Sequence, residues 1–192
     1  MDLELMKYSL KMLLKESRYL HSVGAMEVSC DLAFINGYDA EKASIAGILH
    51  DCARNLTDDE LLKECEKYHL PVSALENRWA FLLHGKVGAV YAKDKFGVKD
   101  EDILNAIIYH TTGRPAMTLI EKILFIADYI EPYRKPLPRI DEIRMTAYTD
   151  LDLAVFMILE NILEYLKCKG TEIDTLTIAT YEYYKAILQI FY

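Results

Sequence analysis

Ala46-Gly47-Ile48-Leu49-His50-Asp51 is an apolar helical run that ends on a histidine and an aspartate side by side. Two adjacent titratable side chains at the edge of a core cost free energy unless something pairs with them. On a helix they point about 100° apart, so both can reach one shared object. A divalent first-row ion suits an imidazole nitrogen and a carboxylate oxygen alike. Taken alone, the pair reads first as a satisfied core histidine beside a helix-end aspartate.

Four further residues of the same kinds change that balance. His21 lies in Tyr19-Leu20-His21-Ser22-Val23, His84 in Phe81-Leu82-Leu83-His84, and His110 ends Ile107-Ile108-Tyr109-His110. Asp128 is the one charged residue between Ile123 and Ile130. Each has an ordinary explanation, a cap or a bond to a backbone carbonyl, but all of them being ordinary together is much harder to accept. Buried ionisable groups must pair or bind metal. His21, His50, Asp51, His84, His110 and Asp128 form a donor set without sulfur, which argues against structural zinc. His69, in the polar setting Lys67-Tyr68-His69-Leu70, is left out of the set.

These residues must be positioned by helices. Apolar positions recur at helical rather than alternating spacing, with only five prolines and eight glycines to interrupt them. Leu3, Met6, Leu10, Leu13 and Leu14 mark a first helix, and Ser17 is placed to cap a second that runs to Asn36-Gly37. Asp39 caps a third ending near His50-Asp51, and Thr57-Asp58-Asp59-Glu60 is a capping box for a fourth that closes around His69-Leu70-Pro71. Ser73 to about Phe81 predicts a fifth, and another follows Leu83-His84-Gly85 to Phe96-Gly97. Lys99 to His110 is stopped by Thr111-Thr112-Gly113-Arg114-Pro115. Thr118 opens a strongly apolar helix through Asp128, Ile140 to Tyr148 is short, and Thr149 or Asp150 caps a long helix to Lys169-Gly170. Asp174-Thr175 opens the last. No strand and no repeat is expected: the chain is all-α. Its aromatic end, Tyr181, Tyr183, Tyr184, Phe191 and Tyr192, predicts that the last helix packs on the body, any exposed share offering a homodimer face.

At 192 residues, 52% hydrophobic and 27% charged, the chain is long enough for one domain with a real core. With 22 basic against 30 acidic residues its net charge is −8, which argues against a general nucleic-acid or anionic-membrane binder. Lys93, Lys95 and Lys99 read as a solvated helix end. No run approaches the ~18 apolar residues of a membrane span. Cys30, Cys52, Cys65 and Cys168 form no CxxC pair, and no secretory signal pattern opens the chain, so they are expected to be reduced thiols in the cytoplasm.

His21, then His50-Asp51, then Asp128, spread over helices in that order, resembles the HD-domain metal-dependent phosphohydrolases, an all-α, phosphodiesterase-like helical bundle. The intervening His84 and His110 resemble the subset with two extra histidines and room for a second ion. Leu83-His84-Gly85-Lys86-Val87-Gly88-Ala89, Tyr109-His110-Thr111-Thr112-Gly113-Arg114-Pro115 and Phe125-Ile126-Ala127-Asp128-Tyr129-Ile130-Glu131-Pro132 narrow the likeness to the bacterial YqeK family, symmetrical diadenosine-tetraphosphate hydrolases. The likeness covers nearly the whole chain. It implies one HD domain over 1–192, with a metal-site core at about 17–135 and helices 140–192 packed on it.

The resemblance also implies roles. His21, His50, Asp51 and Asp128 would hold the core ion, in that family typically iron, with manganese or cobalt as substitutes. His84 and His110 would face the phosphates, directly or through a second ion bridged by Asp51. Arg134 resembles the family's phosphate-binding arginine, although Tyr133 stands where a glycine is common. The Asp174-Thr175-Leu176-Thr177-Ile178 stretch resembles the segment beside the nucleotide. Arg54 stands near the place of a common lysine and is given no proton-transfer role. The mechanism implied is attack by an ion-held hydroxide on a central phosphorus, giving two ADP, with Asp51, His84 and His110 as the catalytic groups. Thr111 and the backbone N–H groups of the Gly113 turn are candidate extra donors. A dinucleoside polyphosphate or ADP-like nucleotide is the expected ligand, without nucleic acid or membrane. Hydrolysis of a mononucleotide or cyclic nucleotide is the alternative. A di-iron oxygenase is a further enzymatic reading, to be revealed by oxygen-dependent substrate loss. A sensing or scaffold protein is disfavoured because every candidate ligand is present.

Overall fold

Helix-length apolar stretches and side-chain caps divide the chain as the periodicity predicts. The computed structural model describes residues 2–189; Phe191 and Tyr192 of the aromatic end lie outside them. The described residues form α1 (Leu3–Leu13), α2 (Glu16–Ile35), α3 (Ala40–Leu49), α4 (Asp58–Lys67), α5 (Ala74–Arg78), α6 (His84–Asp94), α7 (Glu101–Tyr109), α8 (Leu119–Ile130), α9 (Ile140–Ala147), α10 (Leu151–Lys169) and α11 (Thr175–Gln189). No strand occurs among them, and none of these helices is long and apolar enough to cross a membrane.

The starts of these helices follow local chemistry. The Asp39 carboxylate accepts from the backbone N–H groups of Glu41 and Lys42, and Asp150, rather than Thr149, caps α10 by accepting from Leu153. Thr57 with Glu60 and Ser73 with Glu76 close reciprocal capping boxes. Two expectations are corrected. Ser17 does not cap α2, because the helix already begins at Glu16 behind an extended Lys15. The helix expected over 73–81 ends at Arg78: Trp79 leaves the helical region at φ −126°, ψ 62°, and Ala80–Leu83 continue as a 3₁₀ turn that runs into α6.

The core has two halves. One gathers Leu10, Leu49, Leu61, Leu83, Ile107 and Leu124 from α1, α3, α4, the 3₁₀ turn, α7 and α8. The other gathers Leu32, Ile123, Ile126, Ile143, Ile158 and Tyr184 from α2, α8, α9, α10 and α11. α8 serves both, packing on α2, α3, α7 and α10, and is correspondingly apolar nearly all round. α11 is pinned to α10 by Phe156 stacked on Tyr181 with ring centroids 5.3 Å apart, and Tyr184 is fully enclosed. Tyr181, Tyr183 and Tyr184 therefore do the packing expected of the aromatic tail.

Candidate metal centre and cleft

The ends of α3, α7 and α8 meet the start of α6 and the middle of the first half of α2. His50 and Asp51 follow directly on α3, His110 on α7, Asp128 lies in the last turn of α8, and His84 is the first residue of α6. Three helices thus deliver these side chains at or next to their C-terminal ends, where the helix dipole favours a cation.

Four donor atoms surround that point. His21 Nε2 lies 3.2 Å from His50 Nε2, 2.9 Å from Asp128 Oδ1 and 3.5 Å from Asp51 Oδ2. His50 Nε2 is 3.4 Å from Asp51 Oδ2 and 3.6 Å from Asp128 Oδ1. Ligands held about 2.0–2.2 Å from a common ion leave roughly such separations between neighbours. The other oxygen of Asp51 faces a second group: Oδ1 is 3.2 Å from His84 Nε2 and 3.8 Å from His110 Nε2, which are themselves 3.1 Å apart. Asp51 therefore offers one oxygen to each of two donor clusters, the arrangement a bridging carboxylate needs.

The second ring nitrogens decide the tautomer. Nδ1 of His50, His84 and His110 each faces a backbone carbonyl, of Gly47 at 2.7 Å, Phe81 at 2.5 Å and Ile107 at 2.6 Å. Nδ1 of His21 faces Glu131 Oε1 at 3.0 Å. A carbonyl only accepts, so Nδ1 carries the proton and Nε2 is left as the lone-pair donor toward the centre. Glu131 is fully buried, and its other oxygen accepts from the Tyr133 backbone N–H at 2.6 Å. No role was expected of it. The available signal was its place three residues after Asp128, directly beyond the last turn of α8.

The charges are tightly coupled. Burial disfavours the ionised carboxylates of Asp51 and Asp128, but the imidazoles around Asp51 and the Arg134 guanidinium with the imidazoles around Asp128 hold both well below the ordinary range. Burial opposes the imidazolium of His50, yet the Asp51 charge and the Asp128 hydrogen bond raise its pKa to about 10 without an ion. His21 is raised too, its burial outweighed by Asp128 and Glu131. His110 goes the other way, to about 3, through burial and the neighbouring charges on His50 and His84. Metal-free, the centre is a proton-bound cluster of carboxylates and imidazoles.

Arginines line the cleft above it. Arg18 Nη1 lies 2.6 Å from Asp51 Oδ2, and Arg134 Nη2 lies 2.8 Å from Asp128 Oδ1 and 2.6 Å from the Asp128 carbonyl. Arg54 lines the same cleft, about 320 Å³ in volume, together with His84, His110, Thr111, Asp174 and Thr177. Arg18 was not anticipated, although it stands three residues before His21 on the same face of α2. A second cavity of about 430 Å³ adjoins through Thr111, Thr112, Glu172 and Asp174, and Thr175 and Leu176 line it. Ile178 lines neither and is 43% exposed. The Gly113 N–H is spent on the Tyr109 carbonyl at 2.8 Å and adds no donor to the cleft. Gly113 itself is required there: φ is +62°, and a Cβ would stand 2.8 Å from Thr180 Cγ2 of α11.

The HD domain family model matches residues 18–133. The symmetrical bis(5'-nucleosyl)-tetraphosphatase of Bacillus subtilis is 41% identical over 90% of this chain and 92% of its own. The enzyme of the same name from Halalkalibacterium halodurans is 42% identical over 88% of this chain and 89% of its own. The crystal structure of a predicted HD superfamily hydrolase involved in NAD metabolism, from Clostridium acetobutylicum, superposes with a TM-score of 0.93 at 40% identity, over 97% of this chain and 98% of that one. The chain belongs to the HD-domain hydrolase family.

Proposed function

We propose that this chain is a metal-dependent hydrolase that cleaves diadenosine tetraphosphate between its two central phosphates, giving two ADP. The observation that carries the reading is Asp51, whose two oxygens face two separate donor clusters on the floor of a cleft lined by three arginines. The curated relatives that are 41% and 42% identical over the aligned residues bear the name of that activity and support it.

His21, His50, Asp51 and Asp128 would hold one ion; Asp51, His84 and His110 would hold a second or face the phosphates directly. When bound, a divalent ion supplies Lewis acidity and brings the pKa of a water from about 15.7 to about 7. Iron is the ion assigned, on the resemblance to the family and on an imidazole–carboxylate donor set that manganese or cobalt would also accept.

The chain's own side chains do the rest. Asp51 is buried and ionised, placed to accept a hydrogen bond from the attacking water and orient it on the β-phosphorus. Oxygen from water bonds to that phosphorus and gives up its proton to solvent, the bridging P–O bond breaks, and the other half departs as ADP, a leaving group that needs little protonation. Arg18, Arg54 and Arg134 stand where charge builds on the non-bridging and leaving oxygens, and Thr111 adds a hydroxyl. Asp174 to Thr177 form the wall proposed to meet the nucleoside. Cytoplasmic residence is part of the same reading, and the four free cysteines support it.

The test is a panel of diadenosine tetraphosphate, mono- and cyclic nucleotides, each with iron, manganese or cobalt and with EDTA. Preference for the dinucleotide, with chelation abolishing turnover, is expected. A preference for a mononucleotide or cyclic nucleotide would overturn the substrate.

A further inference from the structure

A substrate cut symmetrically has two identical halves, so a cleft that holds the scissile bond at its centre must lead to room for a nucleoside on both sides. Two cavities border the metal cleft and share lining residues with it. The first is the one lined by Thr175 and Leu176. The second, about 520 Å³, lies between the end of α8, the loop at Leu137 and Pro138, and the C-terminal half of α10. It shares Arg134, Ile162 and Leu166 with the metal cleft and no residue with the first cavity. The cleft thus lies between two cavities that have no lining residue in common.

Resting on the proposed dinucleotide hydrolysis, we propose that this α8–α10 cavity is the subsite for the second nucleoside, the half that leaves. Its walls suit a purine: Tyr129, Leu137, Pro138, Ile162, Tyr165 and Leu166 present aromatic and flat apolar surface, and its size falls in the ordinary range for small-molecule sites, about 300–1,000 Å³. Polar groups are few. Glu164 at the rim offers a carboxylate to ribose hydroxyls or to an exocyclic amine. Asn161 is buried and donates to the Tyr129 hydroxyl at 3.1 Å and to the Pro138 carbonyl at 2.7 Å, fixing one wall against another. Arg134 sits at the doorway, clamped on Asp128 and with its guanidinium carbon 5.9 Å from the Tyr129 ring centroid. A phosphate chain leaving the cleft for this cavity passes Arg134 first and delivers its nucleoside to the tyrosines. Tyr165 is 62% exposed, available to stack without disturbing the core.

Two variants probe the cavity from opposite directions. Tyr165→Ala removes the aromatic wall, and Cys168→Trp fills the exposed end of the room. Both alter exposed positions on α10, and their metal content is measured alongside. Loss of one base–aromatic stack predicts a fall in kcat/KM for diadenosine tetraphosphate of about five- to 150-fold. The inhibition constant of ADP, held by the first cavity, is expected to stay at the wild-type value. Unchanged kcat/KM in both variants overturns the subsite while leaving the hydrolase reading intact. A rise in the ADP constant in proportion to the loss of kcat/KM also overturns it, since the cavity would then be the sole nucleotide site. A wild-type protein that does not cleave the dinucleotide removes both readings together.

Discussion

Replacing Glu131 by glutamine tests whether the metal centre is organised from outside its ligand set. The carboxylate is 1% exposed, with Oε1 3.0 Å from His21 Nδ1 and Oε2 2.6 Å from the Tyr133 N–H. Both of its contacts are to groups that donate. Glutamine keeps the shape but turns an N–H₂ toward one of those donors, so either His21 or Tyr133 loses its acceptor. The loss at His21 frees the ring to take the other tautomer, whose Nε2 carries a proton and cannot ligate. Partners of this kind are worth about 10–100-fold in metal affinity, roughly 1.4–2.7 kcal/mol. A chelator competition should show that loss in the variant, with kcat recovering substantially at saturating metal because no ligand is missing. Gly24→Ala approaches the same carboxylate without changing its charge: a Cβ there would stand 2.7 Å from Glu131 Oε2, so the side chain must move and affinity should fall in the same direction. Wild-type affinity in Glu131→Gln, with thermal unfolding unchanged, would refute the claim that Glu131 sets the His21 tautomer.

Asp51→Ala should lose turnover completely and lower the bound metal, read by product chromatography and metal analysis; a variant that kept both would remove Asp51 from the centre. Arg18→Gln, which takes away the guanidinium 2.6 Å from Asp51 Oδ2, is expected to raise KM for the tetraphosphate about tenfold or more, as loss of a charge-assisted bond does, and steady-state kinetics would show it. Metal uptake should release protons. His50 carries one at neutral pH in the metal-free protein because its pKa is raised to about 10, so calorimetry in buffers of differing ionisation enthalpy should find about one proton per ion, and affinity should rise with pH; no release would contradict the assignment. The same shift fixes the sign for metal-free stability. The contribution of His50 is complete below its unfolded pKa of about 6.5 and is lost as pH climbs through about 10, while those of Asp51 and Asp128 hold above about 3.9 and vanish in acid.

The six donors were legible because each breaks a local rule. An imidazole or carboxylate inside an apolar helical run needs a partner, and the structure brings all of them to one centre. Helix starts at Asp39, Thr57 and Ser73 were equally plain, since a cap is a local hydrogen bond. What escaped was decided at long range or by a neighbour's register. Trp79 breaks the fifth helix without glycine or proline to announce it, yet that break sets the 3₁₀ turn whose Phe81 carbonyl meets His84 Nδ1. Glu131 drew no reading of its own, because its charge is explained only by His21 on α2, far away in the chain. Arg18 escaped for the same reason, since its partner Asp51 lies on another element. The α8–α10 cavity has no sequence signature at all, because its walls are apolar residues that would serve equally well in a core.

The most direct measurement is cleavage of diadenosine tetraphosphate by the iron-loaded protein in ¹⁸O-water, with mass analysis of the products and an EDTA control. The cleft chemistry described above predicts ADP alone, one ¹⁸O on the β-phosphate of one ADP per turnover, and no reaction after chelation. AMP with ATP, label on an α-phosphate, or turnover that survives chelation would contradict it.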